Sequence, residues 1–306
     1  MLHPMRLILW LGLVMTVTVA VIVSIGRSPA LDGPQSPGPD RPLRVGYAIE
    51  APYAFRDPGG GLQGEAVDMM RAALRRIGRP EPVWIHAEFG ALMHELDMGR
   101  IDAIASGLFI TPERAARLAF SRPTAAVQPG LLVAAGNPLG LHSLADVVGD
   151  ARTRLCVLEQ SVEQDMARRA GLPDSRLRTR TSAAGCLTEL QQGAVQAMML
   201  SVPSLRWMVR QLEQQARSIS QARAQPLPEL AQPFWVSSGP DGAAIGYPAL
   251  AFRRGDRLRD EIDAALAAYI GSPEHLQRVS VYGFDEGLIA PVRGEPLAGL
   301  RGTATR

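Results

Sequence analysis

Residues 83–105 read VWIHAEFGALMHELDMGRIDAIA, and this stretch decides the fold class. Val83 to Ile85 is a short apolar strand. Phe89, Leu92, Met93 and Leu96 recur at helical spacing, Gly99 stops the helix, and Ile101 to Ala105 is a further buried strand. Upstream, Leu43 to Ile49 (LRVGYAI) adds another strand, and Val67, Met70, Leu74 and Ile77 mark one face of a helix. Strands alternating with helices predict an α/β fold with a parallel sheet.

The second half repeats the pattern. Leu155 to Leu158 is a strand, and Ser161-Val-Glu-Gln164 is a capping box that opens a helix. Ser182 caps another. Glu95-Leu-x-x-Gly99-x-Ile-x-Ala103 is echoed by Glu189-Leu-x-x-Gly193-x-Val-x-Ala197, each a helix end, a Gly stop and a buried strand. The echo predicts two α/β lobes of similar build. A polar, Gln-rich helix runs from Ser201 to about Ala216, followed by the Pro-rich AQPLPELAQP. Ala249 to Phe252 is a strand, Leu258 to Ile270 a helix, and Ser272-Pro273 opens a last one. Residues 291–306 read as a loose tail.

The chain has 306 residues, 46% hydrophobic and 20% charged, with a net charge of +2. That composition excludes a disordered chain, and the near-zero charge argues against nucleic acid as a partner. No lysine occurs, which excludes a catalytic or Walker lysine. Leu7 to Ile25 (LILWLGLVMTVTVAVIVSI) carries no charge, and its 19 residues approach the roughly 20 needed to span a bilayer. Residues 1–27 are therefore a signal peptide or a membrane anchor, residues 28–42 a linker, and the remainder is exported. Cys156 and Cys186 then lie where a disulfide can form; two buried, unpaired thiols are the alternative.

Gly59-x-Gly61-x-x-Gly64 fits a dinucleotide fingerprint in letters only, because it does not follow the first strand directly; Asp57-Pro58-Gly59 reads as a hairpin turn. No metal site and no cofactor is expected: His86, His94 and His142 form no i, i+4 pair, and H-E-x-x-H and G-x-S-x-G are absent. What stands out is placement. Glu50, Tyr53 and Phe55 follow the first strand, Phe89 follows the second, and Phe109 and Arg114 follow the third. These are carboxyl ends of strands, the rim where open α/β sheets bind ligands. Ordinary core packing of one or two of the aromatics is the plainer alternative.

GYAIEAPYAF, EFGALMHELDMGRIDAIASGLFITPERAARLAFSRPT and IGSPEHLQRVSVYGF resemble the polar amino-acid-binding family of extracellular solute-binding proteins of ABC uptake systems, and within it the ectoine/hydroxyectoine-binding proteins. The resemblance runs from about Leu43 to Pro291. It implies a two-lobed periplasmic-binding-protein fold of type II, with lobe one at 43–127 and 246–290 and lobe two at 128–245. Each lobe would be a mainly parallel sheet flanked by helices, with the ligand in the cleft between. It implies a monomeric, non-enzymatic receptor, periplasmic or on the extracellular face of the cytoplasmic membrane and free or anchored through residues 7–25, with ABC permease subunits as partners. Onto matching positions it carries Glu50, Tyr53, Phe89, Phe109, Arg114 and Ser161 as ligand-binding residues. Ser161 stands where that subfamily commonly has Thr, and Gln160 where Gly is common.

Ectoine is a small zwitterion with a delocalised amidinium and one carboxylate. Arg114 would clamp the carboxylate, helix N-termini at Thr111 and Ser161 would add N–H donors, the three aromatic rings would face the cation, and Glu50 would accept from the ring N–H. Residues 196–203 (QAMMLSVP) contain no acid where amino-acid receptors of the family usually place one, which favours ectoines over α-amino acids. The alternatives are a polar amino-acid receptor, a cyclohexadienyl-dehydratase-like enzyme with Glu50 as its acid, and an anchored sensor, the last disfavoured because no output domain is recognisable.

Overall fold

The computed structural model describes residues 37–218, 226–234 and 245–293. The chain enters through β1 (Arg44–Tyr47) and a small hairpin of β2 (Phe55–Arg56) and β3 (Leu62–Gln63), then α1 (Glu65–Arg76). β4 (Val83–His86), a 3₁₀ turn at Phe89–Ala91, α2 (Leu92–Asp97), β5 (Ala103–Phe109), α3 (Pro112–Ala115) and β6 (Leu118–Phe120) follow. Next come β7 (Pro129–Val133), α4 (Leu144–Gly149), β8 (Leu155–Leu158), α5 (Val162–Arg169) and β9 (Leu177–Arg180). After these lie α6 (Ala183–Gln191), β10 (Ala197–Ser201), α7 (Val202–Ser218) and β11 (Glu229–Leu230). β12 (Pro248–Arg253), α8 (Leu258–Tyr269), α9 (Pro273–Ser280) and α10 (Glu286–Ile289) complete the described part.

The strands form two five-stranded sheets, ordered β4-β1-β5-β12-β6 and β11-β7-β10-β8-β9. In the first, β1 is parallel to β4 and β5, while β12 is antiparallel to β5 and β6. In the second, β8 is parallel to β9 and β10, while β7 is antiparallel to β10 and β11. Four of the five strands in each sheet therefore run the same way, with β12 the exception in the first and β7 in the second, so each sheet is mainly parallel, as expected. β12 can run against its neighbours because it joins the first sheet only after the chain has built the second, and not through a local right-handed βαβ crossover. The outgoing and returning segments pair at Val127 and Gly246. On the outgoing one, Arg122 Nη2 lies 3.0 Å from Asp263 Oδ2 of α8, which ties the crossing to the first sheet's own layer.

The sequence echo is a structural one. Gly99 and Gly193 take φ of 66° and 71°, a left-handed turn that glycine adopts at little cost. In the first copy Arg100 and Ile101 N–H donate to the Glu95 carbonyl at 3.0 and 3.4 Å; in the second Ala194 and Val195 donate to Glu189 at 2.9 and 3.4 Å. The same cap therefore aims β5 and β10 at their sheets. β5 is buried throughout and extends to Phe109, beyond the predicted Ala105, because a strand covered on both faces shows no alternation to mark its end.

In the second sheet the period of two sorts side chains between two layers. Leu131, Val133, Leu155, Val157, Ala197 and Met199 share one core cluster, and Leu132, Cys156, Leu158, Met198 and Leu200 another. Cys186 of α6 joins the second cluster, and the two cysteines are bonded, with Cα atoms 5.5 Å apart. The Gly-rich segment is the expected turn: Asp57 N–H donates to the Gly61 carbonyl at 2.9 Å between β2 and β3.

Glu65, at the start of α1, is fully buried, and neither carboxylate oxygen has a hydrogen-bond partner among the described residues. The neighbouring Thr124 hydroxyl, which would favour the charged form, donates to the Pro248 carbonyl at 3.3 Å instead. Burial, helped by Asp68, pushes Glu65 up to about 7. An unfolded Glu ionises near its ordinary value, so the folded state holds a proton that the unfolded state releases. That stabilisation is complete below the unfolded pKa and is lost as pH rises through about 7. Glu65→Gln is expected to raise the melting temperature at pH ~8 by at least about 2–4 °C, the shift that ~1 kcal/mol gives a domain of this size. The gain should vanish at pH ~4; a gain independent of pH would show that Glu65 is not the titrating group.

The signal peptide or anchor expected at residues 1–27 lies outside the described residues, as do most of the 28–42 linker and residues 294–306 of the tail. Among the described residues no helix is long and apolar enough to cross a membrane.

Candidate functional site

The carboxyl ends of strands from both sheets converge on one buried polar cluster. Beyond β1, Ala48 N–H is held by Ser106 Oγ of β5 at 2.9 Å. A tight turn follows, with Tyr53 and Ala54 N–H both donating to the Glu50 carbonyl at 2.9 and 3.0 Å. This turn sets the Glu50 and Tyr53 side chains on the rim. Gly107 lets Tyr53 lie flat against β5, since a Cβ there would sit 2.5 Å from Tyr53 Cγ. Phe89 follows β4, and Phe109 ends β5. Thr111 caps α3, accepting from Arg114 N–H at 3.2 Å, and so presents Arg114 on the first helical turn.

From the second sheet, β8 leads into Gln160 and Ser161. Ser161 Oγ caps α5 by accepting from Gln164 N–H at 3.2 Å. Gln164 Oε1 reaches back to Gln160 N–H at 2.8 Å, one residue short of the predicted capping box, which would close on Ser161 N–H. Gln160 takes φ 58°, a region that favours glycine. β10 ends on Ser201, and Ser204 stands on the first turn of α7.

Hydrogen bonds cross between these two sets. Tyr53 Oη donates to Ser201 Oγ at 3.2 Å, Ser201 Oγ donates to Ser204 Oγ at 3.1 Å, and Ser204 Oγ donates to Glu50 Oε1 at 2.9 Å. Arg114 donates from Nη1 to the Phe109 carbonyl and from Nη2 to the Gln160 carbonyl, both at 2.8 Å, and its Cζ lies 5.9 Å from the Phe89 ring centre. Glu50, Tyr53, Phe89 and Arg114 are thus brought together as predicted. Phe109 joins through its carbonyl, while its ring packs in the first-sheet core against Gly246. The Ser161 hydroxyl serves as the helix cap, in reach of Glu163.

Two residues of the cluster escape sequence reading. Glu163, in the first turn of α5, is 5% exposed and lies close enough to act on both Arg114 and Glu50. Its only sequence signal is that of an acid favoured by a helix N-terminus. The acid-free stretch 196–203 therefore does not leave the second sheet without an acid at the cleft: Glu163 supplies one from a different strand end. Ser204 follows Ser201 at i+3, a spacing that shares a helix face. Burial first, then the Glu163 charge, pushes Glu50 up to about 8, against the opposing Ser204 hydrogen bond. Burial also raises Glu163 and lowers Arg114, and it raises Tyr53 well above the usual phenol range.

The arrangement suits a small ligand carrying both charges: a guanidinium and helix N–H groups for an anion, acids and ring faces for a cation. A separate surface cavity of about 570 Å³, lined by Asp68, Arg71, Arg75, Tyr269 and Arg278 among others, shares no residue with the cluster. Among the described residues no group of His, Cys, Asp or Glu is arranged to hold a metal ion.

Residues 43–280 match the family described as bacterial extracellular solute-binding proteins, family 3. A probable amino-acid ABC transporter periplasmic-binding protein of Sinorhizobium fredii is 25% identical over 253 residues, covering 82% of this chain and 79% of the relative. Among solved structures, EhuB in complex with hydroxyectoine is 30% identical with a TM-score of 0.69, over 79% of this chain and 88% of that one. The ancestral amino-acid-binding protein AncCDT-1, a precursor of cyclohexadienyl dehydratase, shares the fold at 20% identity and a TM-score of 0.64, over 78% of this chain and 94% of that one. The two sheets, the cleft they close and the match over 43–280 place the chain among the bacterial extracellular solute-binding proteins of family 3, extracytoplasmic receptors of ABC uptake systems for amino-acid-type solutes.

Proposed function

We propose that the receptor captures ectoine or hydroxyectoine and delivers it to an ABC permease in the cytoplasmic membrane. The observation that carries this reading is one buried cluster in which Arg114 lies beside the Phe89 ring and Glu163, and Glu163 in turn acts on Glu50. The similarity to EhuB, solved with hydroxyectoine, supports it. The ligand carboxylate takes the N–H groups of Arg114 not used on Phe109 and Gln160, and the amidinium lies between Glu50, Glu163 and the aromatic faces. The Tyr53–Ser201–Ser204–Glu50 chain then closes the two lobes over it.

A thermal-shift screen tests the proposal. Hydroxyectoine and ectoine are expected to raise the melting temperature of the protein with no product formed. Product formation would turn the reading to the dehydratase-like enzyme, with Glu50 as the buried acid. A larger shift with arginine would favour the second reading, a receptor for a basic amino acid, which the two buried acids and single buried guanidinium of the cluster specifically support. Ser204→Ala removes two bonds of the cross-cleft chain and is expected to weaken binding by about 1 kcal/mol, roughly five- to tenfold, in calorimetry. Unchanged affinity would take Ser204 out of closure.

A further inference from the structure

Among the described residues the cleft gathers two buried carboxylates and one buried guanidinium. Glu50 is 8% exposed, Glu163 5% and Arg114 7%. Arg114 acts on Glu163 and also feels the exposed Glu113 and Asp165, which add no positive charge, and Glu163 acts on Glu50. Among the described residues the other groups acting on Glu50 bring no positive charge. They are the Ser204 hydroxyl from α7 at 2.9 Å and the Tyr53 phenol, itself exposed to the charges of Glu50, Glu163 and Glu65. Fully ionised, the cluster of Glu50, Glu163 and Arg114 is short of one positive charge. A zwitterion has no net charge and cannot supply it; a ligand of net charge +1 can.

Resting on the solute-receptor reading above, we propose that Glu50 takes up a proton when the cleft closes on a zwitterion and stays ionised when it closes on a net cation. Glu50 is in this way the residue that sets which ligand charge the site accepts. The geometry selects Glu50 over Glu163. Glu163 sits on the first turn of α5, where N–H groups and Arg114 stabilise its charge, whereas among the described residues Glu50 has one hydroxyl donor, on Oε1, and its second oxygen can take the proton. Burial and the Glu163 charge holding Glu50 at about 8 agree with this choice. The proton comes from solvent, which reaches Glu50 in the open cleft, where a carboxyl ionises in its ordinary range.

The test is calorimetry on the full-length protein at pH ~7, in two buffers of different ionisation enthalpy, with hydroxyectoine as the zwitterion and arginine as the net cation. The difference in heat between buffers counts protons. The expected result is about one proton taken up per hydroxyectoine bound, and none when arginine binds. Hydroxyectoine affinity should fall by about tenfold per pH unit once pH exceeds the closed-cleft pKa of Glu50. Glu50→Gln should abolish the uptake and flatten that profile. Hydroxyectoine binding without uptake in the wild type, or with uptake that persists in Glu50→Gln, overturns the proposal and leaves the receptor reading intact. Binding of neither probe overturns the ligand class and this proposal with it.

Discussion

Arg114→Ala is expected to weaken binding of the captured solute by about 2–4 kcal/mol, the usual cost of truncating one partner of a buried charge pair. Three losses add at this one side chain. The ligand carboxylate loses its cation in a site from which water is excluded. Glu163 loses the guanidinium that offsets its buried charge. The cleft loses a direct tie, because Arg114 joins the Phe109 carbonyl of the first sheet's last β5 residue to the Gln160 carbonyl at the end of β8. Arg114→Lys is expected to recover little. An ammonium cannot reach two carbonyls and a carboxylate with the spread of a planar guanidinium. Calorimetry giving less than a threefold change for Arg114→Ala would remove Arg114 from the binding site.

Removing the Cys156–Cys186 disulfide is expected to cost roughly 3–4 kcal/mol of folding stability, the loop-closure value for a bridge spanning 30 residues. The bridge joins β8 to α6, and both cysteines are fully buried in the layer formed with Leu132, Met198 and Leu200. The strand that it anchors is the one that delivers Gln160, Ser161 and Glu163 to the cleft. Urea unfolding of the Cys156→Ala/Cys186→Ala protein should show a lower midpoint, and of the wild type in reductant a similar one. Alanine on both sides keeps the layer apolar, so lost cross-linking dominates over lost packing. A change under ~1 kcal/mol would show that the second sheet holds its layer without the bond. A persistent disulfide also fits the oxidising, extracytoplasmic setting of the family.

The local parts of this molecule are legible in its sequence. Helix caps at Thr111, Ser161, Ser182 and Ser272 each accept from the N–H three residues on, as the sequence predicts, because a cap depends only on its own first turn. The echoed Gly stops at Gly99 and Gly193 announced the two similar halves for the same reason: a left-handed turn and the strand after it lie within a few residues. The rim residues Glu50, Tyr53, Phe89 and Arg114 followed from strand ends, since the topology of an α/β sheet fixes where those ends face. β7, β9 and β11 were not legible, because a short strand is defined by its partners and not by its own pattern.

Thus the sequence alone determined the α/β class, the duplicated lobe pattern and half of the cleft. Only the tertiary structure decided the other half and its charge. Glu50 meets Ser204 across 154 residues, and Tyr53 meets Ser201 across 148. Glu163 reads in the sequence as an ordinary first-turn acid, and it becomes a cleft residue only when β8 is docked opposite β5. The tilt of the site toward one extra negative charge is likewise a property of burial. A carboxylate in water carries its charge at little cost, and the same carboxylate enclosed by two sheets must find a cation or a proton.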